Sequence, residues 1–164
     1  MQEAGGKRQG ARGRRQRARG KGQEAGGKIE YEEWLASVPD SLKKDSLWKF
    51  SIYAKSVFLY DLLWEDCEGL MKDVRGRAIV EQIIRSGGPI GANIEEGYGR
   101  GFGAEFAYFL RVALGSARET RGWYNRARRL VKPEVLQHRL GLLDEIIAIL
   151  VKSVEHQKQQ SKRT

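Results

Sequence analysis

The sequence predicts an all-α protein, an up-down-up-down antiparallel four-helix bundle behind a disordered basic N-terminal tail. Three observations lead there. From residue 45 to residue 154 apolar residues recur at spacings of three and four, the period of one helix face. Glycine, proline and capping residues break that pattern near 71–73, 97–103 and 128–133, dividing it into four stretches. No segment reads as a strand. The 164 residues, 40% hydrophobic and 31% charged, suit one ordinary domain with a tail. No apolar run approaches the roughly 20 residues of a membrane span, and the N-terminus lacks the apolar core of a secretory signal. A single cysteine, Cys67, excludes an intrachain disulfide and a multi-cysteine zinc site, and fits a cytoplasmic location.

Residues 1–28 are set apart by composition. They hold eight glycines, no aromatic and no β-branched residue, and nine Lys/Arg against Glu3 and Glu24, a charge of +7. Such a segment buries too little apolar surface to offset its ordering entropy, so a disordered tail is expected. An electrostatic nucleic-acid tether and a dispensable extension both fit it. Residues 29–44 form a short amphipathic lead-in, Ile29 to Val38, ended by Pro39-Asp40, whose Trp34 and Leu35 can dock on the main body as a lid. The bundle is expected over 45–158.

The first bundle helix is read from Phe50, Tyr53, Val57, Tyr60, Trp64, Cys67 and Met71, at spacings 3, 4, 3, 4, 3, 4. This is a heptad seam, with Asp45 or Ser46 as its cap. Ala54, Phe58 and Leu62 widen the stripe. Asp73 offers the next N-cap, and the second helix, about Val74 to Tyr98, has Ile79, Ile83, Ile90 and Ile94 on its core face. At its centre stands Ser86-Gly87-Gly88-Pro89-Ile90-Gly91. Glycine costs about 1 kcal/mol and proline about 3 in a helix interior, so a kink or break is expected at Pro89, with a neighbouring helix close to Gly87 and Gly91. The glycine-rich stretch 97–103 fits neither the dinucleotide fingerprint nor a phosphate-binding loop and reads as a tight connection. The third helix starts near Ala104, with Phe106, Leu110, Ala113, Ala117, Thr120, Tyr124, Ala127 and Val131 inward. After Pro133 the fourth shows Leu136, Leu140, Leu143, Ile147, Leu150 and Val154. A second row, Leu142, Ile146 and Ile149, is expected between subunits of a homo-oligomer, because one bundle core needs only one row. From His156 onward the chain is expected to fray.

Enzyme signatures are scarce. His138 and His156 lie far apart, without the Glu spacing of a di-iron bundle. Cys67 sits on the heptad seam and reads as core. The pair Glu95-Glu96 is the best catalytic candidate and lacks metal ligands and a nucleophile. No catalytic residue, metal ligand or cofactor is assigned.

Charge is more informative. The net charge is +9, with −5 over residues 29–99 and +6 over residues 100–132. The basic stretch holds Arg111, Arg118, Arg121, Arg126, Arg128, Arg129 and Lys132, almost all arginine, the residue suited to bidentate phosphate contacts. Trp123 among them can stack on a base. The competing reading is a solvated face, or one that pairs with the acidic helices of another subunit.

Ser86 through Gly97, with Asn93-Ile94-Glu95-Glu96-Gly97, is followed by Tyr98-Gly99-Arg100-Gly101, then Ala113 through Thr120 and Trp123-Tyr124. Over about residues 45–155 these runs resemble the four-helix-bundle proteins encoded in intervening sequences of 23S ribosomal RNA genes. The resemblance implies a homopentamer. A related branch, the accessory variability determinant of diversity-generating retroelements, implies nucleic acid and a reverse transcriptase as partners. It also implies structural roles for Asn93, Glu96, Gly97, Arg100, Gly115, Ser116 and Glu119, as polar contacts and small residues between the second and third helices. Pro89 departs from the family, which usually carries serine there. The expected function is a non-catalytic homo-oligomer binding RNA or DNA through phosphates. The alternative is a structural or protein-interaction scaffold without nucleic-acid affinity.

Overall fold

The computed structural model describes residues 30–161. It is all-α, with no strand among the described residues, and contains six α-helices and one 3-10 turn. Helix α1 (Tyr31–Ser37), α2 (Asp40–Lys43) and the 3-10 turn (Ser46–Lys49) lead into α3 (Ser51–Leu70), α4 (Val74–Arg100), α5 (Ala104–Ala127) and α6 (Pro133–Ser161). The four-helix-bundle description is therefore corrected: this is a six-helix domain, and the lead-in is part of its core. The expected tail, residues 1–28, lies outside the described residues.

The lead-in folds because its aromatic residues have somewhere to go. Trp34 is buried beside Phe58 and Leu62 of α3, with Tyr31 and Trp48 packed around them. The buried indole needs an acceptor, and its Nε1 donates to Asp61 Oδ2 at 2.7 Å. Asp45 does act as a cap, accepting from Leu47 N at 2.9 Å, but for the 3-10 turn. The helix itself begins six residues later, at Ser51.

The heptad seam of α3 does not mark the centre of the core. Ile52, Leu59, Leu63 and Leu70 do, all at 2% exposure or less, whereas Trp64 is 59% exposed and Met71 49%. The seam runs along the flank of α3. Period alone cannot distinguish a core row from the row beside it when both are apolar.

Helix α4 passes through Pro89 unbroken for 27 residues. Proline removes the donor that the Arg85 carbonyl would use, and Arg85 lies exposed, where water can replace it. Two neighbouring side chains fold back on the same helix, Asn93 Nδ2 to Pro89 O at 2.7 Å and Ser86 Oγ to Gln82 O at 2.8 Å. Pro89→Ala is expected to raise the melting temperature by several degrees, since proline trails alanine by about 3 kcal/mol in a helix interior. A lower melting temperature would show that the ring's packing outweighs the missing ladder bond.

The long helices pack in the cyclic order α3, α4, α5, α6, with α4 against α5 the closest pair. Small residues permit that approach. A Cβ on Gly97 would stand 2.7 Å from Phe109 Cβ and 2.8 Å from Phe106 Cδ2. Ile83, Ile90 and Ile94 of α4 meet Phe106, Leu110, Ala113, Ala117 and Tyr124 of α5, all fully buried. Gly101 and Gly103, at φ 103° and 98°, make the three-residue reversal between α4 and α5, a backbone region that glycine enters without steric cost. Gln157, expected in a frayed end, is buried and accepts from Gly103 N at 2.8 Å. Helix α6 runs on to Ser161 because its last turns brace this connection. Its second apolar row is also settled within one chain. Ile146 is fully buried, and Leu142 and Ile149 pack against the core. That row gives no argument for oligomerisation.

Candidate nucleic-acid interface

Helix α5 buries one side and leaves the opposite side to solvent. Tyr108, Arg111, Gly115, Arg118, Gly122 and Arg126 follow one another at spacings 3, 4, 3, 4, 4, opposite the core row of Phe106, Leu110, Ala113, Ala117 and Tyr124. All but the half-buried Gly122 are exposed. Of the basic residues read from the sequence, Arg111, Arg118 and Arg126 lie on this row. Arg121 is exposed but turned toward α6, where its Nη1 donates to Asp144 Oδ1 at 2.5 Å. Helix α5 ends at Ala127, so Arg128, Arg129 and Lys132 leave the row and sit in the turn before α6. Arg128 Nη1 donates to Asn125 O at 3.0 Å. Among the described residues no carboxylate lies within ion-pair distance of Arg111, Arg118, Arg126, Arg128, Arg129 or Lys132. The acids near the row are Glu105, which Arg100 engages at 3.4 Å, and Glu119, which accepts from Trp123 Nε1 at 3.4 Å.

Two of these cations, and Arg100 at the end of α4, lie near aromatic rings. The Arg126 guanidinium carbon is 4.8 Å from the Trp123 ring centroid, that of Arg111 5.9 Å from Tyr108, and that of Arg100 5.4 Å from Phe109. Such contacts bring a modest gain per pair.

The residues expected to have structural roles divide by position. Gly97 lies at the α4–α5 crossing, and Arg100 links Glu96 of its own helix to Glu105 of α5. Asn93, Ser116 and Glu119 make their contacts within their own helices. Gly115 faces open space. A direct polar link between α4 and α5 is instead Thr120 Oγ1 to Ser86 Oγ, 3.0 Å and buried. Glu95 and Glu96 diverge: Glu95 accepts from Tyr53 OH at 2.7 Å, and Glu96 pairs with Arg100. Burial and the Glu95 carboxylate together hold the Tyr53 phenol above its ordinary range. Cys67 is buried, which pushes its thiol up to about 11. Among the described residues no group of three His, Cys, Asp or Glu could hold a metal, and no helix is long and apolar enough to cross a membrane.

The sequence reading missed the most buried charges. Arg139 of α6 grips Asp66 of α3 with two hydrogen bonds, Nε to Oδ2 at 2.8 Å and Nη2 to Oδ1 at 3.1 Å. Tyr124 of α5 donates its phenol to Asp66 Oδ2 at 2.5 Å. The ion pair is 7% and 9% exposed. Desolvation, with the Asp66 charge next, holds the Tyr124 phenol well above its usual range, so it stays a donor. The signal was present: Arg139 falls three residues after Leu136 and four before Leu143, a lone charge on an apolar stripe.

A family model described as 23S rRNA-intervening sequence protein matches residues 49–152. The chain belongs to that family. Family membership carries its non-enzymatic reading. A crystal structure of a protein of unknown function from the S23 ribosomal protein family of Bacteroides thetaiotaomicron is similar at 27% identity, with a TM-score of 0.59. The similarity covers 63% of this chain and 97% of that one. The family match leaves the lead-in's α1 and α2 outside its region. No curated protein matches the chain.

Proposed function

We propose that this family member is a non-catalytic, cytoplasmic, homo-oligomeric protein that binds RNA or DNA through phosphates, using the outer side of α5 and the turn that follows. One observation carries the reading. Six cations within residues 111–132 have no carboxylate partner among the described residues, while the rest of the domain pairs its charges or scatters them. A cluster of exposed charge of one sign sets up a potential that attracts a polyanion. The basic residues 1–28 would add a tether, and the pentamer and the reverse-transcriptase partnership follow from the resemblance. Exposed Trp64, Met71 and Val74, at the α3–α4 end, favour a second reading, a protein-interaction scaffold, and suit a subunit contact equally.

Changing Arg118, Arg126 and Arg129 to glutamine is expected to weaken RNA and DNA binding alike. For every phosphate no longer engaged, the salt slope should flatten by about 0.7 to 0.9. Arg121→Gln should have a smaller effect, because Asp144 already holds that charge. Binding is measured in the full chain and in one lacking residues 1–28, whose +7 charge would otherwise dominate. Complete failure to bind once the tail is removed, or indifference to the triple change, would favour the scaffold.

A further inference from the structure

We propose that the solvent-facing row of α5 holds an unpaired nucleic-acid strand, with one base stacked on Tyr108 and another on the guanidinium of Arg126 where it lies over Trp123. The proposal rests on the phosphate-binding reading of α5 and goes further, to the state of the strand.

Four features of the row support it. Tyr108, 54% exposed, is braced by Phe109 in an edge contact at 5.3 Å and by Arg111. It is an open ring, whereas a ring serving the core would be covered. At the other end the Arg126 guanidinium carbon lies 4.8 Å from the Trp123 ring centroid, with Gly122 beside it. A Cβ there would come within 2.7 Å of Arg126 Nη1 and push the guanidinium aside. Between the two ends stand Arg111 and Arg118, with Gly115 bare beside them, leaving the helix surface open for close approach of a sugar-phosphate backbone. From residue 108 to residue 126 the row is about 27 Å long at 1.5 Å per residue, room for about eight nucleotides at stacked spacing and fewer when extended.

Ring faces and guanidinium planes serve a strand whose bases are unstacked, because in a duplex those faces are already covered by neighbouring pairs. Stacking on a ring face or a guanidinium plane reads no base edge, so that part of the binding should tolerate any sequence.

Fluorescence anisotropy on the full chain tests this, with a labelled eight-nucleotide single strand and the corresponding duplex, for RNA and for DNA. Each variant is also measured in the chain lacking residues 1–28, because the +7 charge of that segment would otherwise mask the row. The single strand is expected to bind more tightly than the duplex. Tyr108→Ala should weaken single-strand binding by roughly five- to a hundredfold with an unchanged salt slope and unchanged duplex binding, and Tyr108→Phe should restore it. Gly122→Ala, which favours the helix and displaces Arg126, should weaken single-strand binding without lowering the melting temperature. Equal affinity for duplex and single strand, or indifference to Tyr108→Ala, would overturn the stacking proposal and leave the phosphate reading standing. Absence of binding to either form at low salt would overturn both.

Discussion

Asp66→Ala is expected to destabilise the protein by about 3–5 kcal/mol, the loss typical when one partner of a buried ion pair is removed. At this chain length that lowers the melting temperature by roughly 10–20 °C. The cause is the stranded partner. Arg139, 7% exposed, would remain charged in the interior with its carboxylate gone, and the Tyr124 phenol would be left without its acceptor. Arg139→Met should do comparable damage from the other side, because the Asp66 carboxylate is left buried without its counter-charge, with the Tyr124 phenol still donating to it. The same reasoning makes the effects non-additive. Asp66→Leu, Arg139→Met and Tyr124→Phe together remove every polar group of the cluster and should be more stable than either single change. Thermal denaturation of the four proteins checks this. A loss under about 1 kcal/mol for Asp66→Ala would mean that water reaches the site.

The cluster ties α3, α5 and α6 at one point, and α3 and α5 are not neighbours in the packing order. An apolar replacement would fill the space without fixing which residues meet. The triple variant therefore also tests whether the charges hold register: it should melt higher but less cooperatively if they do.

Gly97→Val is expected to cost about 2–3 kcal/mol. A branched Cβ there would meet Phe109 Cβ and Phe106 Cδ2 inside van der Waals distance, and overpacking in a filled core typically costs about 1–3 kcal/mol. Valine's small gain in helix propensity over glycine offsets only part of that. Gly141→Ala in α6 supplies the contrast. Nothing lies within 4 Å of a Cβ at that position, so only propensity changes, and stability should rise by up to about 1 kcal/mol. If Gly97→Val is as stable as the parent, the α4–α5 approach is not what Gly97 serves.

The sequence determined the elements that depend on local chemistry. Asp73 caps α4 as read, accepting from Arg75 N at 2.8 Å, and Ala104 and Pro133 open α5 and α6. The inward row of α5 is buried from Phe106 to Ala127 as its spacing required, because a helix with one apolar side has one way to face a core, while Val131, read as its last member, falls beyond the helix and is half-buried. The basic stretch was equally legible as charge. Tertiary structure decided the rest. The flank of α3 and its core side are both apolar, so spacing could not rank them, and only packing against α4 and α6 left Trp64 outside. The second row of α6 looks like an oligomer surface as long as only one of its two apolar rows is counted as core. In the fold Ile146 joins the main core, Ile149 packs against it, and Leu142 lies against both that core and the Trp34–Phe58 cluster, so the row is covered within the chain. The basic residues were divided by the end of α5 at Ala127 and by Asp144 on a helix that is distant in sequence. A charge carries no record of its partner across a contact, so sequence showed where the cations are and the fold showed which of them remain unpaired.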